Sequence, residues 1–485
     1  MATPQVVGSR EPAASTACDA LVVGAFTDDG RARLPAGVPL VAELRTEVDR
    51  AITDAGFKGK PGEVLVIPTL GRAPARAIAV TGIGNEATVT GGAVRRAAAA
   101  AARRLAERTT IVTMLHECHP DGERSAAEGL VLGTYRFTTY KSDPQQSKIT
   151  RVLVPGADED ALRTGVTHAN ATMLARDLVN EPASSLTPST LADRVQQIAE
   201  DRGLECDVLD EAELAERGFG GVVGVGKGSS EPPRLIRLSY SPPDPNGRVV
   251  LVGKGVTFDS GGLSLKEPKG MEQMKTDMSG AAAVIGAVSA LPQLRPAVAV
   301  EAIIPAVENM PGSSALRPGD VLRHYGGRTT EVLNTDAEGR LILADALAFA
   351  SESEPDALVD LATLTGAMVV ALGSKATGFF SNDEALAEEI IAASEQAGER
   401  VWRMPLLDEY RSELDSEVAD CKNSGMRYGG AIFAALFLQA FVKNGVPWAH
   451  LDIAGPARAE SDSDEVTRGG SGVGTRTLLR WIEAR

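Results

Sequence analysis

The chain contains few of the residues that usually mark histidine-bound metals, disulfide frameworks or aromatic binding surfaces. Its 485 residues include five histidines and four cysteines, and 4% are aromatic. No apolar run approaches the roughly 18 residues that cross a membrane. Residues 1–16 lack the basic start and apolar core of a secretory signal. We therefore expect a cytoplasmic protein without a membrane partner.

The cysteines and histidines are scattered rather than grouped. Cys18, Cys118, Cys206 and Cys421 show no CxxC spacing, which is typical of reduced thiols. His116 and His119 are the one close histidine pair, and neither adjoins an acidic motif. Any metal bound by this chain is therefore expected to have mainly oxygen ligands.

The charge balance argues against a nucleic-acid partner. The net charge is −16, so the chain as a whole lacks the basic footprint that nucleic-acid binding requires. The one basic cluster lies on a predicted helix from Ala93 to Leu105, with arginines at 95, 96, 103 and 104. We interpret this cluster as a solvated helix face.

The pattern of apolar segments predicts the α/β class. Short β-branched runs such as Val64–Pro68 and Val249–Gly253 alternate with alanine-rich helical stretches along the whole chain. Such alternation indicates a mostly parallel sheet that is covered by helices on both faces. With 43% apolar and 24% charged residues, the chain is long enough for a smaller N-terminal α/β domain and a larger C-terminal α/β catalytic domain.

Composition and spacing also suggest domain limits. Residues 1–17 are small and polar enough to be disordered. We expect an N-terminal α/β domain over 18–155, a linker region over 156–185 that contains a helix from about Thr164 to Val179, and a C-terminal catalytic domain over 186–485.

The first chemical motif lies between a predicted strand at 328–333 and a predicted helix at 341–350. It places Asp336, Glu338 and Arg340 on alternate positions. In an extended segment such positions share one face, so all three side chains can point into one cleft. Taken alone, the motif is more typical of a solvated loop rich in turn-forming residues.

A second motif changes this interpretation. A continuous apolar strand leads into a glycine-rich loop with Lys254, Asp259 and Lys266, and Asp277 follows at the start of a small-residue helix. The four acids of the two motifs all fall near strand ends or helix starts, where α/β sheets bind ligands. They are Asp259, Asp277, Asp336 and Glu338. Four adjacent carboxylates would repel one another unless cations neutralised them, and two divalent ions would balance four negative charges. Lys254 could join them as a neutral amine ligand if burial removed its proton.

The two motifs resemble those of the leucyl aminopeptidase family of two-metal exopeptidases. Asn334 to Leu341 reads NTDAEGRL, and Val252 to Asp277 reads VGKGVTFDSGGLSLKEPKGMEQMKTD. Further similar stretches are RDLVNEP from Arg176, DLATLTGA from Asp360 and WAHLDIAGP from Trp448. The resemblance covers most of the chain from Ala175 onward and is fainter before it.

The resemblance implies a role for each matching residue. Lys254, Asp259, Asp277 and Glu338 would hold the tighter metal ion, and Asp259, Asp336 and Glu338 the second, with either Mn or Zn as the metal. Lys266 and Arg340 would be catalytic, with Arg340 cradling a bicarbonate-like anion that acts as general base. Met274, Thr363, Leu364 and Gly366 would contact a peptide substrate with a free N-terminus. The family also implies a homohexamer.

Two alternatives remain open at this stage. Carboxylate-bridged ions also serve phosphate ester hydrolysis, so a two-metal phosphoesterase is one. The other is a non-catalytic scaffold or DNA-binding member of the family, although all seven polar positions of the implied centre are present. Activity on peptides with free and acetylated N-termini separates the first alternative from a peptidase.

We predict that Arg340→Ala lowers turnover and leaves the metal content intact, because Arg340 is expected to hold an anion rather than a metal. Elemental analysis beside an assay of amino-acid amide hydrolysis measures both quantities. Loss of both metals from the variant would show that Arg340 is structural instead.

Overall fold

The computed structural model describes residues 3–426 and 428–485, which form two compact units. The first unit comprises Met1–Met173 and Glu460–Arg468, and the second comprises Leu174–Ala459 and Gly469–Arg485. Both units are α/β, so the predicted class with a smaller first and a larger second domain is confirmed. Among the described residues, no helix combines the length and apolar character needed to cross a bilayer.

The first unit is built on a seven-stranded sheet in the order β1-β7-β6-β2-β5-β4, with β3 paired to β2. Its strands are β1 Gln5–Ser9, β2 Ala20–Asp28, β3 Arg31–Arg33, β4 Val64–Pro68, β5 Ala77–Gly84, β6 Thr110–Thr113 and β7 Arg151–Pro155. Its helices are α1 Ala42–Asp54, α2 Gly91–Arg104, α3 Gly122–Thr134 and the start of α4 Glu159–Asn180. The β3 and β4 pairings are antiparallel and the others are parallel.

Helices cover both faces of this sheet. Ala20 and Val22 of β2 belong to the apolar cluster formed with α2 and α3, whereas Leu21 and Val23 belong to the cluster formed with α1. Successive residues of a strand point to opposite faces. The continuous apolar run of β2 is therefore explained by burial on both sides.

The predicted disorder of residues 1–17 is wrong for Gln5–Ser9. This segment forms β1 and pairs in parallel with all five residues of β7. The two adjacent valines, Val6 and Val7, become half-buried against the unit's apolar clusters. Pairing with a distant strand supplies the order that the local composition does not.

The interpretation of the arginine-rich helix as a solvated face is wrong for Arg95. Its side chain is 1% exposed, and its Nε lies 2.9 Å from Glu465 Oε2 and 3.6 Å from Glu128 Oε1. Arg103 is also largely covered and pairs with Asp462 at 3.1 Å. These acids include two from the segment Glu460–Arg468, which the sequence analysis assigned to the C-terminal domain.

The second unit contains a nine-stranded sheet in the order β17-β16-β19-β15-β10-β12-β9-β8, with β11 paired to β12. Its strands are β8 Glu205–Leu209, β9 Arg234–Tyr240, β10 Arg248–Gly253, β11 Gly255–Asp259, β12 Ala299–Asn309, β15 Ala357–Ala362, β16 Thr377–Ser381, β17 Val401–Arg403 and β19 Trp448–Asp452. The central strands β12, β10, β15 and β19 are parallel neighbours.

Smaller strands and helices complete this unit. Strands β13 Val321–Arg323, β14 Thr329–Glu331 and β18 Cys421–Lys422 form a separate three-stranded sheet, and β20 Arg458–Ala459 pairs with β21 Gly469–Gly470. The helices are the end of α4, α5 Pro188–Arg202, α6 Glu211–Glu216, α7 Gly220–Gly226, α8 Ser279–Leu294, α9 Gly339–Ser351, α10 Gly366–Leu372, α11 Glu384–Ala397, α12 Gly430–Gln439 and α13 Thr475–Glu483. The predicted strand at 328–333 is therefore shorter and lies outside the main sheet.

A glycine contact brings α8 close to the sheet. A Cβ atom on Gly280 would lie 2.0 Å from the carbonyl oxygen of Leu361 in β15, so no larger residue fits at this position. The start of α8 can therefore approach the carboxyl ends of β10 and β15. This approach places Asp277, two residues before α8, at the edge of the sheet where ligands bind in α/β folds.

We predict that Arg95→Met destabilises the protein by about 3–5 kcal/mol, because it leaves two buried carboxylates without their shared cation. Urea unfolding followed by circular dichroism measures the change in the free energy of unfolding. Arg96 on the same helix is partly exposed and is the control, with Arg96→Met expected to change stability by less than about 0.5 kcal/mol. Equal effects of the two substitutions would contradict the prediction.

Candidate metal centre

The five predicted metal ligands converge at one end of the second unit's sheet. Lys254 follows β10, Asp259 ends β11, and Asp277 precedes α8. Asp336 and Glu338 come from the loop between β14 and α9. Carboxylate oxygens of Asp259, Asp336 and Glu338 all lie within 4.8 Å of one another.

The route by which Asp336 and Glu338 reach the same site differs from the prediction. They do not lie on an extended strand, because residues 335–336 form a turn and Glu338 has the helical angles φ −80° and ψ −36°. Arg340 is already in the first turn of α9. The turn and the helix start, rather than strand alternation, thus bring these side chains together.

Lys254 lies between two acids in the deepest part of the centre. Its Nζ is 2.8 Å from Asp277 Oδ2 and 2.8 Å from Glu338 Oε1, and it donates to the carbonyl oxygen of Thr363 at 3.1 Å. Burial alone would lower the pKa of Lys254, but the charges of the surrounding carboxylates raise it above its usual value. In this arrangement Lys254 is an ammonium ion rather than the neutral amine that could act as a metal ligand.

Lys266 contacts the other half of the centre. Its Nζ lies 2.7 Å from Asp259 Oδ2 and 2.5 Å from Asp336 Oδ1. The Lys266 side chain is 22% exposed, whereas that of Lys254 is 3% exposed. Burial opposes the charged form of Lys266, but the two aspartates raise its pKa. Each lysine therefore holds a different pair of carboxylates.

The donor set fits divalent cations. Burial raises the pKa values of Asp259, Asp277 and Asp336, and repulsion between neighbouring carboxylates adds to the effect. Asp277 Oδ2 lies 2.8 Å from Lys254 Nζ, and Asp336 Oδ1 lies 2.5 Å from Lys266 Nζ. In the described part of the chain, four carboxylates share these two ammonium groups, which leaves a net negative charge. Hard carboxylate oxygens are the ligands that divalent ions such as Mn²⁺ prefer.

Asn309, a residue that the sequence analysis missed, orients this donor set. It ends β12 and is 3% exposed. Its Nδ2 donates to Asp259 Oδ1 at 2.8 Å and to the carbonyl oxygen of Thr335 at 3.0 Å. Asn309 thus ties Asp259 to the loop that carries Asp336. A polar residue at the end of a mostly apolar strand was the available indication in the sequence.

Arg340 lies beside the carboxylates without joining their ion pairs. Its Nη1 donates to the carbonyl oxygen of Asn423 at 2.9 Å, and its buried Nε has no hydrogen-bond partner among the residues that the structure describes. Burial lowers the pKa of Arg340 to about 10, against the opposing charges of Glu338 and Asp452. The guanidinium remains charged at neutral pH, and its unpaired donor fits an anion.

The predicted substrate contacts surround the centre on different sides. Leu364 and Gly366 line a cavity of about 220 Å³ together with Asp336 and Arg340. Thr363 Oγ1 donates to Asp277 Oδ1 at 2.7 Å, so this residue also supports a candidate ligand. Met274 is half-buried in a 3₁₀ helix, Met271–Thr276, that leads to Asp277, and it does not line that cavity.

Asp452 is a second buried residue that the sequence analysis missed. Its carboxylate accepts hydrogen bonds from the backbone of Leu364 at 3.2 Å and from Thr365 Oγ1 at 2.6 Å. Asp452 therefore fixes the loop that follows β15, from which several predicted substrate contacts arise. The signal lay within the WAHLDIAGP stretch, whose chemistry the residues alone did not reveal.

Carboxylates clustered with lysine and arginine at the carboxyl edge of an α/β sheet define a candidate hydrolase centre, and the comparisons give its class. The catalytic-domain profile of the cytosol aminopeptidase family matches residues 173–479, and the profile of that family's N-terminal domain matches residues 22–144. The chain belongs to the cytosol aminopeptidase family. It is therefore a hydrolase of the peptidase class, and the resemblance seen in the sequence is confirmed.

Individual relatives agree with this assignment along nearly the whole chain. A probable cytosol aminopeptidase of Aquifex aeolicus is 44% identical over 460 residues, covering 93% of this chain and 92% of the relative. The bottromycin maturation enzyme BotP in complex with Mn is 44% identical with a TM-score of 0.87, covering 96% of this chain and 99% of BotP. A mutant tomato leucine aminopeptidase is 33% identical with a TM-score of 0.88, covering 100% and 97%.

We predict that Mn²⁺ raises the melting temperature and that the increase is larger at pH 8 than at pH 5. The folded-state pKa values of Asp259, Asp277 and Asp336 lie above the ordinary 3.8. Ionising these groups therefore lowers the stability of the metal-free folded state, and this loss of stability grows as the pH rises above 3.8. The contribution of the charged Lys254 and Lys266 to folded-state stability is constant between pH 5 and pH 8. Their pKa values are raised in the folded state, so this contribution is lost only above pH 10.5.

Differential scanning fluorimetry with Mn²⁺ or with a chelator measures the effect. A cation at 100 times its dissociation constant stabilises the folded state by about 2.7 kcal/mol per site. At pH 5 protons compete with the cation for the carboxylates, so the shift is expected to shrink. Equal shifts at both pH values, or none, would show that these carboxylates do not bind the ion.

Proposed function

We propose that the protein is a metal-dependent aminopeptidase that releases leucine and other mainly apolar N-terminal residues from peptides. The observation that carries the proposal is the convergence of Lys254 and the four carboxylates at one sheet edge, next to Lys266 and Arg340. General turnover of intracellular peptides in the cytoplasm is the role that this activity implies.

The proposed centre holds two divalent ions, Mn or Zn. Lys254, Asp259, Asp277 and Glu338 would hold the tighter ion, and Asp259, Asp336 and Glu338 the second, so that Asp259 and Glu338 belong to both sets of ligands. The Mn complex of BotP supports Mn for this chain. Lys254 would act as a ligand only after losing its proton, and the cation would then replace the positive charge that Lys254 now offers to Asp277 and Glu338.

The chain's own residues would bind and orient the reactants. Bound divalent ions would lower the pKa of a water molecule and polarise the scissile carbonyl group. Lys266 Nζ, on a side chain that is 22% exposed, would stabilise the negative charge that develops on the carbonyl oxygen. Such preorganised charge is often the largest single contribution to catalysis.

Arg340 would hold the group that accepts the proton. Its buried Nε has no partner in the described part of the chain, and a small anion such as bicarbonate would pair with the guanidinium there. A bicarbonate held there would serve as general base, so that no protein carboxylate would have to give up its role as a ligand. Met274, Thr363, Leu364 and Gly366 would position the first residues of the peptide.

A free substrate amine provides the specificity for N-termini. The second ion, held by the more exposed Asp336, would bind this amine, and an acetylated amine is a poor ligand. Family membership favours this chemistry over the phosphoesterase alternative. The complete set of polar residues argues against a non-catalytic scaffold. A homohexamer is part of the proposal through the family resemblance.

We predict that leucinamide is hydrolysed and that N-acetyl-leucinamide is cleaved at least about 100-fold more slowly, because a contact of about 3 kcal/mol is lost. Release of ammonia with each amide, before and after chelation and with Mn²⁺ or Zn²⁺ restored, measures the difference. Bis(4-nitrophenyl) phosphate is the control substrate. Equal rates on both amides, or faster hydrolysis of the phosphate ester, would reject the proposed function.

A further inference from the structure

Asn423 is a fully buried amide beside the loop that carries Asp336, Glu338 and Arg340. It directly follows β18, which pairs in parallel with β14, so it lies next to the point where that loop leaves β14. Its side chain has no solvent exposure. A buried amide must have its hydrogen bonds satisfied internally, and those of Asn423 all go to this one loop.

The side-chain amide spans most of the loop. Its Oδ1 accepts from the backbone N–H groups of Leu333 at 2.9 Å and Asn334 at 3.3 Å. Its Nδ2 donates to the carbonyl oxygens of Asn334 at 2.7 Å and Ala337 at 3.3 Å. Two donors and two acceptor positions are thus all used, which is the full capacity of an asparagine side chain.

The backbone of Asn423 extends the same contact in both directions. Its N–H donates to the carbonyl oxygen of Glu331 in β14 at 3.0 Å. Its carbonyl oxygen accepts from Arg340 Nη1 at 2.9 Å. One residue therefore binds the last residue of the strand, the turn and the guanidinium at the start of α9.

The loop requires such support because two of its own side chains are repelled by a neighbouring carboxylate. Asp336 and Glu338 must stay close to Asp259 although like charges repel one another. The segment between β14 and α9 has no ladder of backbone hydrogen bonds to resist this repulsion. Thr335 is held from one side by the carbonyl oxygen of Gly261 and by Ser264. Asn423 holds the segment from the other side.

We propose that Asn423 is a positioning residue that sets the placement of Asp336, Glu338 and Arg340 for metal binding and proton transfer. This inference rests on the roles given to those three residues in the proposed function. Asn423 touches neither substrate nor metal in this assignment, and it acts through the loop that it holds. Ser424 and Gly425, which follow it, line the same cavity as Arg340, so the residue also joins two walls of that cavity.

Asn423→Asp is the sharpest test because the two side chains have the same shape. An aspartate lacks both donors and would place a carboxylate oxygen where Nδ2 now lies, 2.7 Å from the carbonyl oxygen of Asn334. Asn423→Ser keeps one donor and adds no charge, so it is the milder second variant. Asn382→Asp is the control for the hydrogen-bonding pattern, since Asn382 also bridges two backbone segments, donating to Val446 O and accepting from Trp448 N, although it is exposed where Asn423 is buried.

The measurements are kcat and KM for leucinamide, and Mn²⁺ affinity by isothermal titration calorimetry, all at a temperature where each variant is folded. We expect Asn423→Asp to lower kcat about 10- to 100-fold with KM within about twofold, since small misplacements of reacting groups have effects of this size. We also expect its Mn²⁺ affinity to fall about tenfold or more. Asn382→Asp should lower the melting temperature and leave kcat and Mn²⁺ affinity unchanged.

Wild-type kcat and Mn²⁺ affinity in folded Asn423→Asp would overturn the proposal, as would losses equal to those of Asn382→Asp. If Asn423→Asp does not fold, Asn423→Ser decides by the same criteria. If neither variant folds, Asn423 serves stability rather than positioning, and the proposal fails. If the wild-type protein does not hydrolyse leucinamide, the proposed function fails, and the comparison of Mn²⁺ affinities alone decides the role of Asn423.

Discussion

Repulsion among the carboxylates of Asp259, Asp277, Asp336 and Glu338 is the constraint to which the rest of the second unit is adapted. Lys254 and Lys266 offset part of it by pairing with different carboxylates. The remaining negative charge is what makes the centre suited to cations. The surrounding structure has to hold these carboxylates close together although they repel one another. At the centre itself, hydrogen bonds from polar side chains rather than apolar packing mainly hold them in place.

Three buried polar residues share that task, and two of them, Asn309 and Asn423, contact the loop before α9. Asn309 holds Asp259, Asp452 holds the loop after β15, and Asn423 holds the loop before α9. Each replaces the hydrogen bonds that the loop backbone would otherwise make with water. The catalytic groups therefore lie on irregular segments whose conformation is nevertheless fixed, which is the preorganisation that electrostatic catalysis requires.

The sequence predicted the parts of this structure that depend on neighbouring residues. The run Val64–Pro68 became β4, and the acidic motifs proved to lie at strand ends and helix starts, because periodicity and turn residues are local properties. Features that depend on distant residues were missed. Val6 and Val7 acquire order only from β7, and Arg95 is buried only because Glu465, 370 residues further along, reaches it. Asn309 and Asn423 look like ordinary loop residues until their partners are known.

The pairing of Arg95 with Glu465 has a consequence for biosynthesis. The segment Glu460–Arg468 completes the first unit, yet Glu465 follows Arg95 by 370 residues. A ribosome adds all the intervening residues, most of the second unit among them, before it reaches this acid. The guanidinium of Arg95 thus lacks a counterion that it has in the folded protein until those residues are made, and no fragment cut after residue 173 can contain all of the first unit.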